Sequence, residues 1–171
     1  ERCVVTLNPH QGDAKLAADL RALRLAAIVG LTEDWTRPEV RAAAEGALGL
    51  VLTRRPGTPL ERVTGLEKPG AGPHRENAAG TAIEMLTSGT TGPPKRVQLG
   101  YAGLEQSLLG SGEHYEKKGG DARPRLREGV AIINAPLVHV GGLWRTLQCI
   151  ADGRSIALLE RFKVESWIEL V

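Results

Sequence analysis

Cysteine is scarce in this sequence, which holds only Cys3 and Cys149 among its 171 residues. The two lie far apart along the chain and lack the spacing of metal ligands. We therefore expect both to be reduced, buried structural residues of a cytoplasmic protein.

The sequence also lacks a large net charge, a membrane-length apolar run and a signal peptide. The formal net charge is +2, which gives no argument for a nucleic-acid or membrane-surface partner. We expect neither nucleic acid as a partner nor an integral membrane segment. The first residue is Glu1 rather than Met, as we expect for a piece excised from a longer polypeptide.

Strand and helix patterns alternate in the first part of the chain. Short apolar runs at residues 3–7 and 49–53 predict strands. Asp13 is the predicted cap of one helix, and Thr36 with Glu39 forms the capping-box pattern of another. This alternation, with continuous apolar strands, predicts an α/β fold of mostly parallel sheets flanked by helices. The predicted buried stripes of the two helices are Leu16, Leu20 and Leu23, then Val40, Ala43, Ala44 and Ala47.

Two segments are polar and lack sustained periodicity. Residues 54–80 turn to Pro, Gly and charge, which predicts a surface connection with one short helical turn near Leu60 to Val63. Residues 116–128 are charged and rich in glycine. Two interpretations of this second segment stay open: a solvated loop, or a landing site for an anionic group such as a CoA phosphate.

The most specific stretch is Thr-Ser-Gly-Thr-Thr-Gly-Pro-Pro-Lys, from Thr87 to Lys95. Apolar runs on both sides predict a loop between two strands. Gly89 and Gly92 let the backbone fold closely around a ligand, and the hydroxyls, N–H groups and Lys95 ammonium suit a polyphosphate. Lys95 precedes Arg96 and a strand, which excludes the P-loop, whose Lys is followed by Ser or Thr and a helix. The alternative is a turn without a ligand.

This stretch resembles the phosphate-binding signature of the adenylate-forming superfamily, whose usual form is Thr-Ser-Gly-Thr-Thr-Gly-x-Pro-Lys. The superfamily includes acyl- and aryl-CoA synthetases, adenylation domains of nonribosomal peptide synthetases and beetle luciferases. The resemblance implies a large N-terminal α/β domain, of which this chain is a part. It also implies that the phosphates of ATP, with Mg²⁺, are held by Thr87, Ser88, Gly89, Thr90, Thr91, Gly92 and Lys95.

A second motif, Pro-Leu-Val-His-Val-Gly-Gly-Leu, runs from Pro136 to Leu143. It resembles the Pro-Leu-Phe-His-x-Gly-Gly segment of acyl-CoA synthetases, which implies that His139 positions the substrate near its reacting carboxylate. Gly141 and Gly142 would then let the acyl group approach the backbone. The alternative for a lone histidine on an apolar strand is a core residue with its hydrogen bonds satisfied.

The resemblance implies an AMP-forming acid–thiol ligase that works in two steps. A small-molecule carboxylic acid attacks the α-phosphate of ATP, giving an acyl-adenylate and pyrophosphate, and the thiol of CoA then takes the acyl group. Because the first step joins two anions, catalysis depends on positioning and charge neutralisation. Two alternatives stay open: an adenylation domain that feeds a carrier protein, and a non-catalytic nucleotide-binding module.

Two positions depart from the pattern of the superfamily. Arg96 stands where glycine is common, and Gly100-Tyr101 replaces a common Thr-His. Neighbouring side chains on a strand point to opposite faces, so we expect Arg96 to point away from Lys95.

The resemblance also indicates what the sequence does not contain. It places residues 1–128 in a partial first α/β subdomain and residues 129–171 at the start of a second, truncated one. The adenine-binding Tyr-Gly-x-Thr-Glu motif, the ribose-binding aspartate, the hinge and the C-terminal catalytic lysine of the superfamily are absent. We therefore expect no catalytic residue and no metal ligand within this chain, and no activity without the remainder of the same polypeptide.

Overall fold

The computed structural model describes residues 2–53, 57–87, 95–116, 126–159 and 161–170, with the backbone alone for 109–116. These residues form mixed α/β structure, as predicted. In chain order the described elements are β1 (Val4–Val5), α1 (Asp13–Leu23), β2 (Ala27–Gly30), α2 (Thr32–Trp35), α3 (Pro38–Ala43), β3 (Leu48–Val51), β4 (Glu61–Arg62), β5 (Thr81–Leu86), β6 (Arg96–Gly100), α4 (Tyr101–Glu116), β7 (Arg127–Ile133), α5 (Val140–Ala151), β8 (Arg154–Leu158) and α6 (Val164–Ile168).

The chain divides into two compact units. One comprises residues 8–77, and the other comprises residues 1–7 together with 78–171. The predicted division at residue 128 concerns the subdomains of a larger enzyme and stays a prediction.

The unit of residues 8–77 is a small sheet in the order β2-β3-β4 with the helices α1, α2 and α3. β2 and β3 are parallel, with Ala27 opposite Leu48. The predicted stripe of α1 is confirmed, because a helix with apolar residues at this spacing buries one face. The second stripe is confirmed in its burial, but α3 ends at Ala43, so Ala44 and Ala47 lie beyond the helix. All seven side chains are buried: Leu16, Leu20, Leu23, Val40, Ala43, Ala44 and Ala47.

The prediction of a surface connection over residues 54–80 was wrong in its middle part. Residues 61–62 form β4, which pairs antiparallel with β3, and no helical turn lies at Leu60–Val63. Val63 and Leu66 are buried in a cluster with Trp35. The sequence hides this because the two apolar residues stand alone among charged and glycine positions.

Gly49 explains how this segment packs on the sheet. Its N–H donates to the carbonyl of Leu66 at 2.8 Å, and its own carbonyl accepts the N–H of Val63 at 2.9 Å. A Cβ at position 49 would lie 3.0 Å from the Cβ atoms of both Val63 and Leu66. The strand therefore needs a residue without a side chain at this point of close approach.

Both predicted helix caps were wrong, each by one residue. Helix α1 follows Gly12, and its first residue, Asp13, makes no cap hydrogen bond. The carboxylate of Asp13 accepts hydrogen bonds from Arg37 instead. Helix α3 follows Arg37, and the hydroxyl of Thr36 donates backward to the carbonyl of Glu33 at 2.8 Å.

The other unit contains a sheet in the order β1-β5-β6 and a pair of strands, β7 and β8. β1 and β5 are parallel, whereas β5 and β6 are antiparallel with Leu86 opposite Arg96. The predicted strand–loop–strand unit is thus confirmed, and its short connection requires the antiparallel pairing. β7 and β8 are parallel, with helix α5 as the crossover between them.

The described residues were compared with the expectations about membrane helices, metal sites and disulfides. No described helix combines the length and apolar character needed to cross a membrane. No group of His, Cys, Asp or Glu side chains in those residues has the arrangement of a metal site. Neither cysteine forms a disulfide; Cys149 is buried as predicted, whereas Cys3 is only partly buried.

Candidate active site

The two ends of the glycine-rich stretch are held together by hydrogen bonds. The backbone N–H of Thr87 donates to the carbonyl of Lys95 at 2.8 Å, and the Thr87 hydroxyl donates to the same oxygen at 3.1 Å. Both residues directly adjoin paired strand ends, Leu86 and Arg96. The stretch therefore begins and ends at one fixed point, the end of the β5–β6 hairpin.

The side chains at this point differ in their availability to a ligand. Lys95 is exposed, so its ammonium group is open to an anion. The single hydrogen of the Thr87 hydroxyl is used within the chain, so in this structure Thr87 closes the stretch. Ser88, Gly89, Thr90, Thr91 and Gly92, which the sequence assigns to the phosphates, lie outside the described residues.

Arg96 is largely buried beside Glu84, whereas Lys95 is exposed. Its Nε lies 3.6 Å from Oε1 of Glu84, and the Arg96 side chain is only 19% exposed. The sequence did not reveal this pair, because Glu84 stands within an apolar strand and nothing in the local pattern identifies its partner. The register of β5 on β6 supplies that information.

The second predicted group lies at the start of helix α5. His139 immediately precedes the helix and is exposed in this chain; its role stays a prediction. Its carbonyl accepts the N–H of Leu143 at 3.1 Å, and its own N–H donates to Pro136 at 3.0 Å. The imidazole makes no cap hydrogen bond. Because the residue is exposed, the imidazole is accessible at the end of this turn.

The two glycines after His139 have different surroundings. Gly141 is exposed, and a Cβ there would meet nothing within 4 Å. Gly142 is buried, and a Cβ there would lie 2.4 Å from the carbonyl oxygens of both Ala135 and Pro136. Gly142 therefore allows α5 to begin tightly against the turn that follows β7, whereas Gly141 leaves open space. Their predicted role toward an acyl group stays a prediction.

A cavity of about 350 Å³ lies in the unit of residues 8–77 and contains none of the predicted site residues. Apolar side chains of α1 and α3 line it, with Arg24 and His74 among its polar residues. This cavity could not be predicted from the sequence, because its lining comes from three separate segments that share no motif. The Nε2 atom of His74 lies 3.1 Å from the carbonyl of Gly70, within hydrogen-bond distance.

Comparison with known proteins identifies the family of this chain. The sequence profile of the family described as AMP-binding enzyme matches residues 2–171. The chain therefore belongs to the AMP-binding enzyme family. A curated relative, the fatty acid–[acyl-carrier-protein] ligase ScoC of Streptomyces coeruleorubidus, is 25% identical over an alignment of 142 residues, and the alignment covers 74% of this chain.

Solved structures of adenylate-forming CoA synthetases share the fold. O-succinylbenzoate CoA synthetase from Bacillus subtilis, in complex with AMP, superimposes with a TM-score of 0.60 over 98% of this chain at 21% identity. A malonyl-CoA ligase with bound methylmalonyl-CoA and AMP gives a TM-score of 0.56 over 94% of this chain at 26% identity.

The match covers a minor part of each of these proteins. This chain spans 26% of the length of the curated ligase, 39% of the succinylbenzoate synthetase and 30% of the malonyl-CoA ligase. What the whole protein does is therefore a matter for proposal.

Proposed function

We propose that this chain is the phosphate-binding part of an ATP-dependent ligase. The whole ligase activates a carboxylic acid as its adenylate and transfers the acyl group to CoA. The observation that supports the proposal is the closure of the glycine-rich stretch, where the N–H of Thr87 donates to the carbonyl of Lys95 at 2.8 Å. The Lys95 side chain at this point is exposed. The remainder of the same polypeptide supplies the adenine, ribose and catalytic-lysine contacts. Such a ligase works in the cytoplasm.

The donor set suits a polyphosphate. A cation at the strand end, next to a stretch rich in backbone N–H groups and hydroxyls, provides the charge and hydrogen bonds that phosphate oxygens require. Mg²⁺ prefers phosphate oxygens and water to an all-protein cage. Bound ATP supplies the activated phosphoryl centre, and Lys95 holds and orients its β- and γ-phosphates.

His139 carries the second role in this proposal. Its exposed side chain, at the end of the β7–α5 turn, makes no helix-capping hydrogen bond and can contact a substrate. Gly141, with open space around its Cα, leaves room for an acyl group beside it. His139 then orients the acid and does not take part in bond formation.

A carrier protein is the alternative acceptor. The curated relative transfers a fatty acid to an acyl-carrier protein, whereas the malonyl-CoA ligase was solved with a CoA product. The acceptor is decided by supplying the complete polypeptide with ATP, one acid, and either CoA or a phosphopantetheinylated carrier protein. Formation of the acyl thioester is then measured by mass spectrometry.

Carboxylate-dependent exchange of labelled pyrophosphate into ATP tests the first step. The complete polypeptide is assayed with a panel of aliphatic and aromatic acids, and we expect exchange with at least one acid class. The isolated 171-residue chain is expected to give none. Exchange by the isolated chain would contradict the assignment of catalytic groups to the remainder of the polypeptide.

Substitution of Lys95 tests the phosphate site itself. Lys95→Ala in the complete polypeptide should raise the KM for ATP about tenfold, because a charge-assisted contact to phosphate is lost. Lys68→Ala, which removes another exposed lysine, is the matched control. Unchanged ATP kinetics in Lys95→Ala would remove this lysine from the phosphate site.

A further inference from the structure

Glu84 is a carboxylate in the middle of the sheet that leads to the glycine-rich stretch. It belongs to β5, the central strand of β1-β5-β6, and its side chain is 1% exposed. Its backbone carbonyl accepts the N–H of Thr6 at 2.9 Å, which attaches β5 to β1. A buried carboxylate is costly unless it is paired, so this position must be explained by a partner.

One partner of this carboxylate, Arg96, lies on β6, the strand on the far side of the stretch. Gln98 lies directly opposite Glu84, and Arg96 lies opposite Leu86. Residues two apart on a strand share a face, so Arg96 is the diagonal neighbour of Glu84 on the same face of the sheet. The 3.6 Å contact from Arg96 Nε to Glu84 Oε1 joins the two strands diagonally, next to their last pair, Leu86 and Arg96.

The geometry is poor for stability alone. Among the described residues, the Nη1 atom of Arg96 is buried and has no hydrogen-bond partner. Replacing a buried ion pair by apolar residues of similar volume is often neutral or stabilising, and an orphaned donor adds to the cost of this one. Holding two chain segments in register is therefore a better account of the pair than stabilising the fold.

Arg96 is bonded directly to Lys95, whose carbonyl receives both hydrogen bonds of Thr87. An anchored Arg96 side chain fixes the orientation of the peptide that follows Lys95, and with it the direction in which the Lys95 side chain leaves the strand. Glu84 sits two residues before Leu86 on the incoming strand. One ion pair thus ties the strand that enters the stretch to the strand that leaves it.

We propose that Arg96, held by the buried carboxylate of Glu84, is a positioning residue that sets where Lys95 meets the phosphates of ATP. This inference depends on the proposed function. It gives a physical role to Arg96 at a position where the sequence departs from the glycine common in the superfamily. Neither Glu84 nor Arg96 touches the substrate in this account.

The test replaces the pair as a unit in the complete polypeptide. The double variant Glu84→Met with Arg96→Leu keeps the volume and removes both charges, so we expect its thermal midpoint to stay close to that of the wild type. Its KM for ATP in pyrophosphate exchange should rise about tenfold, since small misplacements of a binding group are costly. The kcat at saturating ATP should fall much less.

Two further variants separate positioning from structure. Arg96→Lys keeps the charge but changes its reach, so it should recover part of the ATP affinity that the double variant loses. Gln98→Ala, on the same strand and face but outside the ion pair, is the control and should leave the KM unchanged.

The outcomes divide as follows. A wild-type KM for ATP in a folded double variant overturns the positioning role and leaves the proposed function intact. Loss of folding in the double variant identifies the pair as a stabilising element and also overturns the role. Absence of exchange in the wild-type polypeptide with every acid tested rejects both the proposed function and this inference.

Discussion

Arg37 grips Asp13 with two donors: its Nε and Nη2 atoms lie 2.9 and 2.5 Å from the same carboxylate oxygen. Its Nη1 donates to the carbonyl of Pro9 at 3.0 Å. The hydrogen bond to Asp13 raises the pKa of Arg37, so the guanidinium stays charged at every pH used for folding measurements. One side chain therefore fastens the start of α1 to the residue before α3.

Arg37→Ala should lower the free energy of unfolding by about 1 kcal/mol, because a charged and partly exposed hydrogen-bonded pair is lost. Urea denaturation followed by circular dichroism measures the change. Lys15→Ala, an exposed substitution on the same helix α1, should change stability little. Equal effects of the two substitutions would show that the contacts of Arg37 contribute no stability.

Gly142→Ala should be strongly destabilising, by at least about 2 kcal/mol, because the new Cβ overlaps backbone oxygens that cannot rotate away. The neighbouring Gly141→Ala meets no atom within 4 Å and should be neutral or stabilising by up to about 1 kcal/mol, since alanine favours the helix. Thermal unfolding of the two variants measures the difference. A tolerated Gly142→Ala would contradict the close approach of α5 to Ala135 and Pro136.

Leu66→Ala should cost about 3 kcal/mol, the usual price of a cavity under a buried leucine. Leu66 is 8% exposed, whereas Leu60 is 47% exposed, so Leu60→Ala should cost less than about 0.5 kcal/mol. The midpoint of chemical denaturation measures both. Similar small losses of stability in both variants would contradict the burial of Leu66 and support the predicted surface connection.

Glu67 should contribute stability that depends on pH. Its carboxylate accepts the N–H of Gly65 at 2.8 Å, and this hydrogen bond lowers the pKa of Glu67 below its ordinary value of 4.5. A lowered folded-state pKa means that the contribution is present above the unfolded-state pKa and is lost as pH falls through the folded-state pKa.

Two measurements check this expectation. An NMR titration of the Glu67 side chain should give a midpoint below 4.5. Glu67→Gln should flatten the fall of the thermal midpoint in acid, while Glu61→Gln on the neighbouring strand β4 leaves the Glu67 titration in place. A Glu67 midpoint at or above the ordinary value would show that the Gly65 hydrogen bond does not favour the charged form.

The elements beside the glycine-rich stretch could be predicted from the sequence because their signals are local. Apolar residues Ile83, Met85 and Leu86 precede Thr87, and Val97 and Leu99 follow Lys95. The helix stripes were predictable for the same reason, since a repeat of three to four residues identifies a buried face without knowledge of its partner. The closure of the stretch followed from these two strands.

Features that depend on contacts between distant segments could not be predicted. Val63 and Leu66 enter the core only because Gly49 leaves room for them. Glu84 in an apolar strand looks like an error in the pattern until the register of β6 brings Arg96 to it. The helix caps failed because Asp13 has a better partner in Arg37 than the backbone N–H groups of its own helix.

The parallel pairing of β1 with β5 also affects the order in which contacts form during synthesis. Val4 lies opposite Ile83, so β1 leaves the ribosome long before its partner strand exists. Residues 8–77 are complete by then, with their own sheet, and contacts close in sequence form faster than distant ones. The pairing of β1 with β5 is therefore expected to form later than the sheet of residues 8–77. A polypeptide that starts after Leu7 would contain every residue of the phosphate signature. It would lack β1 and the hydrogen bond from the Thr6 N–H to the Glu84 carbonyl.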